Sequence, residues 1–137
     1  MRAILDPNVL ISAVLSRRGA PAQVLRAWLE GRFDLIASPL LLGELERALS
    51  YPKLRQHITE AQATRLVALI GREATVPPDP KGPPTARSRD PGDDYLLALV
   101  EHERAVLVSG DSHLLALADE LPVLTPRQFL NALKRRS

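Results

Sequence analysis

Ala105-Val106-Leu107-Val108-Ser109-Gly110-Asp111 is an apolar run of strand length closed by a glycine and an aspartate, and Arg2-Ala3-Ile4-Leu5-Asp6-Pro7 has the same form near the start of the chain. Runs this short and this apolar suit buried strands better than helices. A strand with no alternating polar positions has both faces covered, as in parallel sheets flanked by helices.

Working outward, the flanking segments alternate with these strands. Asn8 to Val14 begins a helical or loop stretch, and Pro21 to Gly31 carries Val24, Leu25, Trp28 and Leu29 at helical spacing. Phe33 to Ala37 is expected as a second strand. Ser38-Pro39 starts a helix over Leu40 to Leu49, with a capping hydroxyl followed by proline at the first helical position. Tyr51-Pro52 ends it, and Thr59 with Gln62 fits a capping box for a helix to about Gly71. Ala74 to Val76 is expected as a brief strand, and the proline-rich Pro77 to Arg89 as a loop. Asp90-Pro91 opens a helix to about Glu103. Ser112 to Leu121 follows as helix, Val123-Leu124 as a short strand and Pro126 to Arg135 as the last helix. Alternation of this kind argues for an α/β fold with a largely parallel central sheet.

The chain has 137 residues, the size of one domain able to bury roughly two thirds of its unfolded surface, and a single domain over 1–137 is expected. Its 45% hydrophobic and 25% charged residues are those of an average globular protein, which disfavours disorder, collagen and coiled coil. The absence of cysteine excludes disulfides, thiolate zinc sites and a cysteine nucleophile. The N-terminus does not resemble a signal peptide and no apolar stretch is long enough to span a bilayer, so a cytoplasmic protein with no membrane partner is expected. Net charge is +2, from 18 basic and 16 acidic residues. Arg17-Arg18, Arg87 with Arg89, and Lys134-Arg135-Arg136 are basic clusters that could meet phosphates or simply be solvated surface.

In open parallel sheets, ligands bind beyond the carboxyl ends of the strands. Both clear strands are followed there by an aspartate, Asp6 and Asp111, although aspartate is also common in such turns as a helix cap. Glu44 has Leu40, Leu41 and Ala48 as its helical neighbours and is expected on the buried side of its helix, whereas Glu46 can reach solvent. A buried carboxylate needs a partner, either a metal or a buried arginine. Asp93 shares a helical stripe with Leu96, Leu97 and Val100, and Asp94 is rotated away from it. Asp90 reads as an N-cap that could also serve the site, and first-turn acids are ordinary partners of the helix dipole.

Four acids gathered in one pocket repel one another. A hard divalent cation, Mg²⁺ or Mn²⁺, resolves this through oxygen ligands, and it can lower the pKa of a water and steady the oxygens of a phosphodiester. The basic clusters would then hold the rest of an acidic substrate.

Asp6-Pro7-Asn8-Val9-Leu10-Ile11-Ser12-Ala13 resembles the opening motif of PIN domains, with Pro7 standing where the family usually has threonine or serine. The resemblance continues through Ser38-Pro39-Leu40-Leu41-Leu42-Gly43-Glu44-Leu45, Arg89-Asp90-Pro91-Gly92-Asp93-Asp94 and Val108-Ser109-Gly110-Asp111-Ser112-His113-Leu114-Leu115. Each motif is weak alone; in this order they are specific, and they span nearly the whole chain. The subgroup most similar is that of VapC-like toxins of bacterial toxin–antitoxin pairs. The resemblance implies a three-layer α/β/α fold, a Mg²⁺ or Mn²⁺ site built from Asp6, Glu44, Asp93 and Asp111, and metal-dependent hydrolysis of RNA. It implies supporting hydrogen bonds from Asn8 and Ser109, a homodimer, and a small antitoxin partner. His113 falls where some relatives carry another acid that could serve a weaker second metal position; it reads more readily as a surface helix histidine.

Competing architectures fit less well. A phosphoacceptor receiver domain needs a lysine after a late strand, and Lys53, Lys81 and Lys134 are not so placed. A haloacid-dehalogenase-type phosphatase wants a second aspartate where Asn8 stands. A PIN-like module that binds RNA or protein without cleaving is the rival from another class. Pro7 favours it, and the four retained acids oppose it, because a binding module gains nothing from carboxylates crowded beside phosphates.

Overall fold

Ala3, Ile4 and Leu5 are enclosed on every side, as are Leu107 and Val108, so the two apolar runs form the middle of a sheet with both faces covered. The computed structural model describes residues 1–136; Ser137, the last position of the expected 1–137 domain, lies outside the described residues. Strand β1 (Arg2–Leu5) pairs with β3 (Val106–Val108) through Ala3 with Val106, Ile4 with Leu107 and Leu5 with Val108. Flanking them are β2 (Asp34–Leu35) and β4 (Val123–Leu124), in the order β2-β1-β3-β4, with every neighbouring pair parallel.

Parallel neighbours need crossover connections. Helices α1 (Pro7–Leu15) and α2 (Ala20–Leu29) lead from β1 to β2. Next, α3 (Pro39–Leu49), α4 (Pro52–Arg55), α5 (Glu60–Glu73) and α6 (Asp94–Glu103) lead from β2 to β3. Helix α7 (Ser112–Leu115) connects β3 to β4, and α8 (Pro126–Arg136) follows. Helix α1 packs on α2 and α3, α2 on α8, and α3 on α5. The result is a three-layer α/β/α arrangement whose core includes Leu10, Leu45, Ile70 and Phe129, the last meeting Phe33 edge-on with ring centroids 4.9 Å apart. The chain leaves β1 toward β2 on one side and returns to β3 on the other, so the order of strand addition reverses between β1 and β3. A crevice is expected beyond the carboxyl ends of those two strands.

Local signals hold where they are chemical. The Ser38 hydroxyl accepts the Leu41 N–H at 3.2 Å, and the Thr59–Gln62 capping box has both of its hydrogen bonds. The segment 77–89 has no helix or strand. Differences arise where tertiary pairing decides length. The expected second strand over 33–37 contracts to Asp34–Leu35, and the expected strand over 74–76 reduces to a single parallel bridge between Ile36 and Thr75. The helix expected over 112–121 stops at Leu115, because the chain must turn back for Val123 to pair with Leu107. The helix expected from Asp90-Pro91 opens as a 3-10 turn over Pro91–Asp93 before α6 begins. Among the described residues, no helix is long and apolar enough to cross a membrane.

Candidate active site

Asp6 leaves the end of β1 with its N–H donated to the Val108 carbonyl of β3 at 3.0 Å, which fixes it at the reversal point of the sheet. One carboxylate oxygen, Oδ1, accepts the Asn8 N–H at 3.0 Å and so caps α1; the other, Oδ2, accepts the Ser109 hydroxyl at 2.8 Å. The Ser109 oxygen in turn accepts the Asp111 N–H at 3.0 Å, and Asp111 Oδ1 accepts the His113 N–H at 2.7 Å, capping α7. Capping and site geometry are therefore not alternatives for these two aspartates: each caps a helix, and each lines the same cavity.

That cavity has a volume of about 280 Å³ and is lined by Asp6, Asn8, Glu44, Asp90, Asp93 and Asp111 together with Arg47, Tyr51 and Tyr95. A groove of about 350 Å³ between α3, α4 and α5 is larger, but it shares no lining residue with the acidic cavity and mixes single charges with Leu49, Ala63 and Val67. The smaller cavity is where ionisable groups from separate elements converge, and it is the stronger candidate.

Electrostatics bear on this convergence. Burial pushes the Asp6 carboxyl above its ordinary pKa; the Asn8 N–H and the Ser109 hydroxyl oppose the shift, and the Asp111 charge adds to it. Burial likewise raises Asp93, against the Ser88 hydroxyl, with Asp111, Asp90 and Asp6 each adding repulsion. Tyr95 is pushed up by burial and then by Asp6, Glu44 and Asp93, so its phenol stays neutral at physiological pH. These carboxylates feel one another's charge.

Among the described residues, however, no three His, Asp or Glu side chains converge closely enough to form a ready-made metal cluster. Each carboxylate is held by another partner. Glu44 pairs with Arg47, Asp93 Oδ2 accepts the Ser88 hydroxyl at 3.0 Å, and Asp90 Oδ1 accepts the Gly92 N–H at 2.9 Å. The donors are nevertheless all carboxylate oxygens, and burial and then neighbouring acidic charge raise Asp6 and Asp93, which is the chemistry a hard divalent cation fits. Arg47 engages one Glu44 oxygen, Oε2, in a pair open to solvent.

Two expectations about side-chain direction need correction. The Glu44 side chain is 39% exposed rather than buried, because the core face of α3 is Leu41, Leu45 and Leu49 while Leu40 is itself 53% exposed. An apolar neighbour was not a core neighbour there. Asp93 does line the cavity and Asp94 does not, but a helical stripe is not the reason. Every residue from Leu96 to Val100 is buried, and Asp93 sits in the 3-10 turn that precedes α6. Asp94 pairs with Arg87 at 2.9 Å and lines a neighbouring groove beneath the proline-rich loop.

Asn8 supports Asp6 through its backbone N–H, and its side chain is exposed at the cavity. His113 is exposed and does not line the cavity. Arg17, Arg18, Arg87, Arg89 and Lys134 to Arg136 do not line it either. Sequence reasoning passed over Arg47, Tyr51, Tyr95 and Ser88. The first two carry a readable signal, since Arg47 lies three residues after Glu44 on α3 and Tyr51 four after Arg47, just past the helix end where the same spacing runs on. Ser88, inside the loop, carries none.

The sequence profile described as PIN domain matches residues 2–113. The chain is 24% identical over 148 aligned positions to the uncharacterized protein MJ1680 of Methanocaldococcus jannaschii, covering 98% of this chain and 93% of that protein. Its fold is similar to a chain in the crystal structure of VapBC2 from Rickettsia felis bound to a DNA fragment from their promoter. That match has a TM-score of 0.63 and 14% identity, covering 91% of this chain and 98% of the other.

Proposed function

The chain belongs to the PIN domain family, and from that premise we propose that it is a divalent-metal-dependent endoribonuclease, the toxin of a toxin–antitoxin pair. The observation that carries this reading is that carboxylates from four separate segments, Asp6, Glu44, Asp93 and Asp111, line one cavity at the carboxyl ends of β1 and β3.

In this reading those four residues hold Mg²⁺ or Mn²⁺. Bound there, the ion lowers the pKa of a water and offsets charge on the phosphate oxygens under attack. The protein's own groups do the positioning. Ser109 and the Asn8 N–H fix both oxygens of Asp6, and Ser109 also fixes the backbone of Asp111. Asp90 caps the turn that presents Asp93, while Asp94 serves at one remove by holding Arg87 of the loop that carries Ser88. Tyr95, neutral and half-buried, excludes water from one wall.

The likeness to a chain of the VapBC2 structure supports a small antitoxin as protein partner. A homodimer, one domain spanning 1–137 and action on RNA in the cytoplasm belong to the same proposal and rest on the family resemblance. A second reading, a PIN-like module that binds without cleaving, is favoured by Pro7 in place of a hydroxyl and by the absence of a ready-made cluster among the described residues. Incubating a mixed single-stranded RNA pool with the protein in Mg²⁺ or Mn²⁺, beside a chelator control and Glu44→Gln, separates the two. Metal-dependent cleavage lost in the variant supports the enzyme, and equal binding without cleavage supports the module.

A further inference from the structure

Among the described residues lining the acidic cavity, Arg47 is the one cation, and an acidic cavity that receives a polyanion needs one. Resting on the ribonuclease reading, we propose that Arg47 and Tyr51 are the substrate-holding pair of this site. The guanidinium takes a phosphate beside the one cleaved, and the Tyr51 ring takes the face of an unpaired base.

Three observations support the pairing. First, Arg47 is poorly committed where it stands. Its side chain is 60% exposed, and its ion pair with Glu44 is open to solvent, so the pair is weak and readily exchanged. When Glu44 turns into the cavity, Arg47 loses its counter-charge but keeps a tether, because its guanidinium donates to the Tyr51 hydroxyl at 2.6 Å.

Second, Tyr51 is an aromatic residue left outside the core. It is 48% exposed on the cavity rim, and its backbone is pinned between α3 and α4 by its N–H to Ala48 O at 3.2 Å and by Pro52. The Arg47 guanidinium lies 5.8 Å from its ring centroid, which brings a cation and a π face together at the mouth of the site. Aromatic rings and arginine planes are the groups on which single-stranded bases stack.

Third, the fold carries the other basic clusters elsewhere. Arg17 and Arg18 follow the far end of α1, whose first residues line the cavity, so about 13 Å of helix separates them from it. Lys134 to Arg136 end α8, whose first residue Pro126 lines a groove that shares Asn8 and Asp111 with the cavity. Arg87 is paired with Asp94, and Arg89, next to the cavity-lining Asp90, does not itself line the cavity, so a phosphate against the carboxylates falls to Arg47.

The test is equilibrium binding of a short labelled single-stranded RNA, and of a duplex of the same length, with Ca²⁺ in place of Mg²⁺ or Mn²⁺ and beside a chelator arm. The wild type is compared with Arg47→Ala, Arg47→Lys, Tyr51→Ala and Tyr51→Phe across a range of salt. Arg47→Ala should weaken single-strand binding about tenfold and reduce the salt slope by about 0.7, while Arg47→Lys keeps the slope. Tyr51→Ala should weaken single-strand binding about tenfold with the slope unchanged and duplex binding little affected, and Tyr51→Phe, which keeps the ring face and loses only the tether on Arg47, should bind within about threefold of the wild type. An unchanged slope in Arg47→Ala, equal losses on both RNAs in Tyr51→Ala, or a wild type that binds neither RNA overturns the proposal. Wild-type cleavage that is lost in Asp6→Asn beside an unchanged Arg47→Ala slope sinks this inference alone. RNA held through both residues without metal-dependent cleavage sinks the nuclease reading alone.

Discussion

The Ser109 hydroxyl donates to Asp6 Oδ2 at 2.8 Å, with both residues buried, and joins the ends of the two central strands through side chains 103 positions apart. Ser109 also accepts the Asp111 N–H. One hydroxyl therefore sets the place of two of the four proposed metal ligands.

Replacing it tests that role. Ser109 holds the Asp6 pKa down against burial, so Ser109→Ala should raise it further. Asp6 must be ionised to bind metal, and the acid limb of the cleavage rate against pH should move to higher pH. Metal affinity should fall about 10–100-fold, as when hydrogen bonds to metal ligands are removed elsewhere. A pH–rate profile in Mn²⁺ and a Mn²⁺ titration read the two effects.

Asp6→Asn should stabilise the metal-free protein. The folded-state pKa of Asp6 is raised, so the folded state favours the protonated form. The contribution of this group is most favourable below the ordinary carboxylate range and is lost as pH rises through the raised value. At neutral pH the ionised group is a cost that the neutral amide avoids. Thermal unfolding in chelator should show a midpoint about 2–4 °C higher for the variant, and Mn²⁺ should raise the wild-type midpoint while leaving the variant unmoved.

Adjacent aspartates should behave differently. Asp93→Asn removes a cavity carboxylate and should lower kcat about 100-fold or more. Asp94→Asn breaks an exposed pair with Arg87 and should change kcat less than about threefold. Equal losses would mean that the loop pinned by Arg87 and Ser88 matters as much as the carboxylate.

Away from the site, Glu103 accepts from Arg2 Nη2 at 3.0 Å and lies 3.0 Å from His102 Nδ1. The His102 contact, then Arg2, holds its carboxyl below the ordinary range against burial. A depressed folded-state pKa contributes stability that is present above the unfolded value and lost as pH falls through the folded one. Glu103→Gln should therefore cost about 0.2–1 kcal/mol near neutral pH, and the difference should fade in acid, with cleavage unchanged throughout. Denaturant titrations at several pH values measure it.

The parts of this protein legible in its sequence are those fixed by local chemistry or by complete burial. Ala3-Ile4-Leu5 and Leu107-Val108 are hydrophobic on both faces and read as central strands; Asp6 and Asp111 followed from them by topology. Ser38 and Thr59 read as caps because the hydroxyl and the N–H it accepts lie within three residues. Strand β2 was harder, since its end is held from the other side by Thr75, whose N–H donates to Leu35 O and whose carbonyl accepts the Ala37 N–H, a partner too far along the chain for a local signal. The direction of Glu44 was misjudged because exposure of Leu40 is set by what α3 packs against. Ser88 became visible only when the fold brought its loop against Asp93, whereas the spacing of Arg47 and Tyr51 after Glu44 was there to be read.

The central claim is that Asp6, Glu44, Asp93 and Asp111 act as one metal-holding unit that cleaves RNA. Its most direct test is the single-turnover cleavage rate of a single-stranded RNA in Mn²⁺ for Asp6→Asn, Asp111→Asn and the double variant. Groups that act as a unit are grossly non-additive, so each single variant should lose nearly all activity and the double should lose no more. Losses that multiply, an Asp111→Asn protein as active as the wild type, or a wild type that cleaves nothing in either metal would contradict the account.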